Sequence, residues 1–136
     1  MALVYEEITN KILAACFEVS TELGTGFLES VYQNALMIAL QEKGLTLERE
    51  HPLAVSFRGQ NVGQFFADIL VEDKIILELK AVSALTDVHK AQVINYLKAT
   101  GIEVGLLINF GNPKLEYRRF DNRLKKNEEN EQGCRG

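Results

Sequence analysis

Asp68, Glu78 and Lys80 interrupt two apolar runs in the segment 65–82, FFADILVEDKIILELKAV. Strands this rich in Ile, Leu and Val usually lie in a buried sheet, where an unpaired charge is costly. Two carboxylates and a backbone carbonyl can hold Mg²⁺ through hard oxygen ligands, and the metal can activate a water and stabilise a phosphate under attack. A lysine beside them can orient that water or neutralise the phosphoryl oxygens. Hydrolysis of a phosphodiester requires this set of groups.

A turn at residues 72–74 would fold the segment into an antiparallel hairpin in which Asp68 lies directly across from Glu78. Because side chains alternate along a strand, one face carries Ile69, Val71, Ile75, Leu77 and Leu79, and the other carries Asp68, Leu70, Ile76, Glu78 and Lys80. The first face is wholly apolar and is expected in the core. Like charges directly opposed destabilise a sheet, unless Lys80 or a divalent metal lies between them. Two alternatives stay open: a turn shifted by one residue would break this register, and the trio could be an ion pair on a solvated face.

The elements that would position these residues follow from the spacing of apolar residues. Helices are predicted at about 3–23, from Thr25 or Gly26 to about 43, and from Thr86 or Asp87 to 100. Extended segments are predicted at 45–57, 62–71, 75–81, 103–110 and 115–120. Pro52 favours an edge position or a bulge for the first of these strands, because proline cannot donate to a sheet ladder. The order predicts an α/β fold with a mixed β-sheet flanked by α-helices.

The composition suits one domain over residues 1–120, followed by a polar tail at 121–136 for which disorder is expected. The net charge of −4 is only weak evidence against nucleic-acid binding, because bound metal ions would offset clustered carboxylates.

No apolar run has the length of a membrane span, and the N-terminus lacks the pattern of a signal peptide. Cys16 and Cys134 are too far apart in sequence to suggest a metal site or a disulfide framework. A soluble, cytoplasmic protein with no membrane contact is expected.

The trio resembles the signature of the PD-(D/E)XK nuclease superfamily, with Asp68 followed after nine residues by Glu78, Leu79 and Lys80. In that superfamily the Asp and the Glu bind metal, and the Lys assists the attack. The proline that usually precedes the Asp is replaced here by Ala67. The resemblance implies a restriction-endonuclease-like core, which agrees with the mixed sheet and flanking helices predicted above.

The segment GFLESVY resembles the signature of the small GxxExxY family of that superfamily, with Gly26, Glu29 and Tyr32 at its defining positions. The resemblance implies that Glu29 is a further acidic residue of the metal site. Glu29 would lie in the first turn of the second helix, where the helix dipole favours a carboxylate; an ordinary first-turn glutamate is the alternative. Tyr32 could support the site by a hydrogen bond to Glu29, or it could simply fill the core.

The segment QVINY resembles the QxxxY motif of RecB-like nucleases and places Gln92 and Tyr96 on one face of the third helix. Gln92 could bind a metal-bound water or a phosphate, and Tyr96 could bind a phosphate. His89 lies three residues before Gln92 and is a further supporting candidate on the same stripe. A polar stripe of this kind on a helix is otherwise solvated surface.

The leading hypothesis is therefore a nuclease that uses Mg²⁺ or Mn²⁺ and acts on DNA. Asp68, Glu78 and Glu29 would hold the metal, while Lys80, Gln92 and Tyr96 would act on the attacking water and the phosphate. The alternative is a binding module for nucleic acid or protein that keeps the nuclease fold without catalysis. Small single-domain nucleases that cut both strands often work as dimers, so the resemblance also suggests that a homodimer could form the DNA-binding surface.

Overall fold

Three helices and five strands follow one another within residues 3–122, which are the part of the chain that the computed structural model describes. The elements are α1 (Glu6–Leu23), α2 (Glu29–Glu42), β1 (Leu47–Phe57), β2 (Gln60–Val71), β3 (Ile75–Lys80), α3 (Asp87–Thr100), β4 (Val104–Asn109) and β5 (Glu116–Asp121). Both the order and the types of these elements agree with the prediction from sequence. None of the helices in this part of the chain is long and apolar enough to cross a bilayer.

The five strands form a single mixed sheet in the order β1-β2-β3-β4-β5. β3 and β4 are parallel, and α3 provides the crossover between them that a parallel pair requires. The remaining neighbours pair antiparallel. The strand that contains Pro52 lies at the edge of the sheet, as predicted.

Helices cover both faces of the sheet, so the fold has three layers. The main core lies between the sheet and the pair α1–α2, and it contains all five residues of the predicted apolar hairpin face: Ile69, Val71, Ile75, Leu77 and Leu79. On the opposite face, Leu70 and Ile76 pack against Leu97 of α3. The alternation that was predicted for the hairpin is thus confirmed from residue 69 to residue 79. The predicted α/β fold with a mixed sheet and flanking helices is also confirmed.

The second helix begins at Glu29, three or four residues later than the expected start. Gly24 and Gly26 adopt φ values of 73° and 106°, which the α-helix does not allow, so residues 24–28 form a loop between α1 and α2. At the other end of the chain, β5 ends at Asp121 and Asn122 is buried. The rest of the predicted tail, residues 123–136 with Cys134, lies outside the described residues. Cys16 is a buried free thiol in the main core.

Candidate active site

Asp68 and Glu78 lie at the point where β2 and β3 separate. The predicted register is confirmed for Ile69–Leu77, Leu70–Ile76 and Val71–Ile75, and the ladder then stops. Instead of a backbone pair, the two carboxylates reach across the gap between the strands. The N–H of Leu79 donates to Asp68 Oδ2 (2.7 Å), and the N–H of Asp68 donates to Glu78 Oε2 (3.3 Å). Each acid therefore binds a main-chain donor of the opposite strand.

The side chains of β2 stop alternating regularly at the same point. Ala67 and Leu70 are three residues apart, yet both pack in the cluster beneath α3. On the neighbouring strand, Glu50 has a left-handed backbone (φ 51°) between the pairs Arg49–Ile69 and His51–Ala67. A non-glycine residue in this conformation is uncommon and raises the local backbone energy. The distortion of β1 and β2 thus coincides with the position of Asp68.

Burial and neighbouring negative charges make both acids difficult to ionise. The pKa of Glu78 is raised to about 8, first by burial and then by the charge of Asp68. The pKa of Asp68 is also raised, mainly by burial and with smaller contributions from the charges of Glu29 and Glu50, although the hydrogen bond from the Leu79 N–H opposes this. The positive charge of Lys80 acts against the shift at both acids. The structure therefore brings Asp68, Glu78, Lys80 and Glu29 into one electrostatic unit.

Glu29 reaches this unit from the first turn of α2, as predicted, and its side chain is exposed. The preceding loop is fixed by Tyr32, which is fully buried and stacks on Phe110 with a centroid distance of 4.8 Å. The Tyr32 hydroxyl donates to the carbonyl of Gly24 (2.6 Å) and accepts from the N–H of Phe27 (3.3 Å). Tyr32 thus fills the core and holds the loop that leads to Glu29, rather than bonding to Glu29 itself.

Tyr96 approaches the carboxylates from α3. Its ring stacks on Phe65 of β2, with centroids 3.7 Å apart and an interplanar angle of 12°. The pKa of Tyr96 is raised, first by burial and then by the charges of Glu78 and Asp68, which shows that its hydroxyl shares their electrostatic environment. Gln92 lies one turn earlier on α3 and is exposed.

His89 takes part in the N-terminal cap of α3. Its Nδ1 accepts a hydrogen bond from the N–H of Thr86 (3.1 Å), and its own N–H donates to Thr86 Oγ1 (3.3 Å). These reciprocal bonds form a capping box, which satisfies main-chain donors that a helix N-terminus leaves free. The N-terminal cap was predicted at Thr86 or Asp87, and the structure assigns it to Thr86. The His89 side chain is thereby engaged in helix capping.

Two residues at the site were not identified from sequence. Gln33 is buried on α2, and its Nε2 donates to the carbonyl of Asp68 (2.9 Å) while its Oε1 accepts from Arg49 Nη2 (3.4 Å). Its only sequence signal is a polar residue on the inward side of the helix, next to Tyr32. The second is Glu50, and no local sequence pattern predicts its left-handed backbone. Both depend on contacts between distant parts of the chain.

The oxygen-rich donor set suits a small divalent cation. Within residues 3–122, no group of three or more His, Cys, Asp or Glu side chains is gathered closely enough to form a complete protein site. Mg²⁺ does not need one, because it is commonly held by one or two carboxylates together with waters and substrate phosphate. A cation between Asp68 and Glu78 would also offset the negative charges that help to raise the pKa of both acids. The residues therefore fit Mg²⁺ or Mn²⁺.

The loop anchor at Tyr32 gives a testable expectation for stability. Tyr32→Phe should lower the free energy of unfolding by about 1–2 kcal/mol, because the ring still packs but the Gly24 carbonyl and the Phe27 N–H lose their partner. Tyr117→Phe is the matched control, since that ring is 39% exposed, and it should change the stability by less than about 0.5 kcal/mol. Urea denaturation of both variants measures the difference. Equal effects would contradict the anchoring role.

Comparisons with known proteins identify the fold and the superfamily of the chain. The crystal structure of SSO0001 superposes on 78% of this chain with a TM-score of 0.53 and 18% sequence identity. The match covers 60% of SSO0001, so this chain spans less than two thirds of that protein, and the likeness concerns the fold alone. No curated protein gives a significant sequence match. The family model of the PD-(D/E)XK nuclease superfamily matches residues 6–120, and the chain therefore belongs to that superfamily.

Proposed function

We propose that this protein is a metal-dependent nuclease that hydrolyses phosphodiester bonds of DNA. The observation that carries the proposal is the placement of Asp68 and Glu78 in the gap between β2 and β3, with the charge of Lys80 acting on both. Two partly buried acids of like charge are unfavourable together without a cation, so the arrangement is better suited to metal binding than to stability. Membership of a nuclease superfamily supports a nuclease-like activity.

Asp68 and Glu78 would hold Mg²⁺ or Mn²⁺, with Glu29 as a further carboxylate at the rim. When bound, the metal lowers the pKa of a coordinated water and stabilises negative charge on the phosphate. Lys80 orients the attacking water and neutralises charge that develops on the phosphoryl oxygens. Gln92 and the Tyr96 hydroxyl would hold the phosphate or a water from α3, the helix that carries both residues.

Other residues would act by positioning these groups. Gln33 bonds to the Asp68 carbonyl and fixes this part of β2 against α2. Tyr32 and the Gly24–Leu28 loop set the start of α2 and therefore the position of Glu29. This arrangement supports our proposal that Gly26, Glu29 and Tyr32 mark the chain as a member of the GxxExxY family. The closeness of Tyr96 to the acids similarly supports the assignment of Gln92 and Tyr96 as a QxxxY motif.

A cleavage assay with labelled single-stranded, duplex and branched DNA tests the proposal. The wild type should cleave at least one substrate with Mg²⁺ or Mn²⁺ and none with EDTA. Glu78→Ala should be inactive and thereby controls for contaminating nucleases. Glu42→Ala, which removes an exposed carboxylate at the end of α2, should keep the wild-type rate. Cleavage of duplex DNA on both strands would further require two sites, for which we propose a homodimer.

Two outcomes would count against a catalytic role. Equal cleavage by the wild type and Glu78→Ala would mean that the activity comes from a contaminant. DNA binding without cleavage, across all metals and substrate shapes, would instead favour a non-catalytic module that has kept the nuclease fold.

A further inference from the structure

The hairpin of β1 and β2 extends well beyond the rest of the sheet. β3 pairs with β2 only at Ile69, Leu70 and Val71. Residues 52–66 of the hairpin are therefore hydrogen-bonded in the sheet only to each other, and we call them the hairpin arm. A two-stranded ribbon is marginally stable by itself, so packing or binding must support it.

One face of the arm is supported by α3. Phe65 stacks on Tyr96, and Leu53 packs against the cluster that contains Leu97. The next residue along the strand, Phe66, points to the opposite face, where 58% of its surface is exposed. Its cross-strand partner Pro52 is exposed as well, and so is Val62, which lies at a bulge of β2. At the tip, the Phe57 ring is also exposed and carries the Arg58 guanidinium 4.8 Å above its centroid.

The charge of the arm differs from that of the whole chain. Residues 52–66 contain no Asp or Glu, and Arg58 is their one charged residue, although the chain has 19 acidic residues and a net charge of −4. A polyanion could therefore lie along residues 52–66 without meeting a carboxylate of the arm itself. Exposed aromatic rings together with basic residues are features that non-specific single-strand binders use.

The arm is continuous with the candidate active site. Phe66 precedes Asp68 by two residues on β2, which corresponds to about 7 Å along an extended strand. A base stacked on Phe66 would therefore hold its own strand beside Asp68 and Glu78. A duplex cannot use such a ring in the same way, because its base faces are already covered by their neighbours in the stack.

We infer that the hairpin arm binds unpaired bases of the substrate, with Phe66 as a stacking platform next to the catalytic carboxylates. The substrate class is then single-stranded DNA, or the single-stranded end or flap of a larger DNA. This inference rests on the proposed function, because it takes the strand bound by the arm to be the one that the Asp68–Glu78 site cleaves.

Fluorescence anisotropy with a short labelled oligothymidine strand, in the presence of Mg²⁺, tests the arm separately from catalysis. The Glu78→Gln background prevents cleavage of the probe. Phe66→Ala should weaken single-strand binding by about 5- to 150-fold, the range expected for losing one stacked base. Phe17→Ala is the matched control: Phe17 is 47% exposed but lies on α1, and its removal should leave the affinity unchanged.

Two further variants separate stacking from general apolar contact or misfolding. Phe66→Tyr keeps an aromatic face and should bind like the parent protein, whereas Phe66→Leu keeps apolar area and should bind as weakly as Phe66→Ala. Equal affinities for all Phe66 variants would overturn the inference, and so would tighter binding of a duplex than of the single strand. Light scattering gives the remaining test. If the parent protein is a dimer and Phe66→Ala dissociates it, a second copy of the chain occupies the arm instead of single-stranded DNA.

The inference and the proposed function can fail independently. Loss of binding in Phe66→Ala without any metal-dependent cleavage by the wild type would leave the arm assignment standing and reject the nuclease. Cleavage that Glu78→Ala abolishes, combined with unchanged binding by Phe66→Ala, would support the nuclease and reject the arm assignment.

Discussion

Lys80→Met is expected to lower the single-turnover rate of metal-dependent DNA cleavage by about 10²–10³-fold, the loss typical of removing one group that stabilises transition-state charge. Methionine keeps much of the length and apolar stem of lysine, so the half-buried position at the end of β3 should remain packed. The affinity for Mg²⁺ should stay the same or rise, because the ammonium no longer competes for the negative charge of Asp68 and Glu78.

The contrast between rate and metal affinity is what makes this variant informative. Calorimetric titration with Mg²⁺ and quenched-flow cleavage should be measured on the same preparation. Lys98→Met, an exposed lysine on α3, serves as the control and should match the wild type in both measurements. If Lys80→Met cleaves at the wild-type rate, the trio on the hairpin is only an ion pair, and the catalytic proposal fails at its central residue.

The hairpin could be predicted from sequence because its determinants are local. The turn at residues 72–74 fixes the register, and the alternation of apolar residues then decides which side chains face α1 and α2. The start of α3 is local as well, since Thr86 and His89 cap the helix within a single turn. In both cases the information lies within a few residues of the feature that it determines.

The separation of β2 from β3 could not be predicted in the same way. Strict alternation placed Asp68 in a regular pair with Glu78, but the ladder ends one residue earlier and the carboxylates replace the main-chain bonds. This geometry is accompanied by the Gln33 side chain on one side and by the left-handed Glu50 on the other. The Gln33–Asp68 bond and the pairing of β1 with β2 join residues far apart in sequence, which a periodicity argument cannot detect.

The late start of α2 has a similar cause. The sequence predicts a start at Thr25 or Gly26, but the loop conformation is held by the buried Tyr32 hydroxyl and its bond to Gly24. The motif GFLESVY singles out Glu29 and Tyr32 as candidates, whereas the loop conformation that places them depends on the folded core. The residue types of the candidate site can be identified from local sequence, whereas the distances between these residues depend on tertiary contacts.

Without metal, stability is expected to fall by about 2–4 kcal/mol between about pH 5 and about pH 9 through Glu78 alone. Its pKa lies at about 8 in the folded protein and near the ordinary value of 4.5 when unfolded, because burial and Asp68 disfavour the charged form. The folded state therefore holds this proton more tightly. The resulting stability is complete below the unfolded pKa and is lost as the pH rises towards and through the folded pKa.

Glu78→Gln isolates this contribution, because glutamine cannot titrate and nearly keeps the shape of the protonated acid. Urea denaturation with EDTA should show that the wild type loses stability relative to Glu78→Gln across this pH range, whereas Glu42→Gln should follow the wild type. Saturating Mg²⁺ should remove most of the loss, since a cation stabilises the charged carboxylates in the folded state only. A wild-type curve parallel to that of Glu78→Gln would show that Glu78 is not held protonated. A loss that Mg²⁺ leaves unchanged would instead show that the acids do not bind the metal.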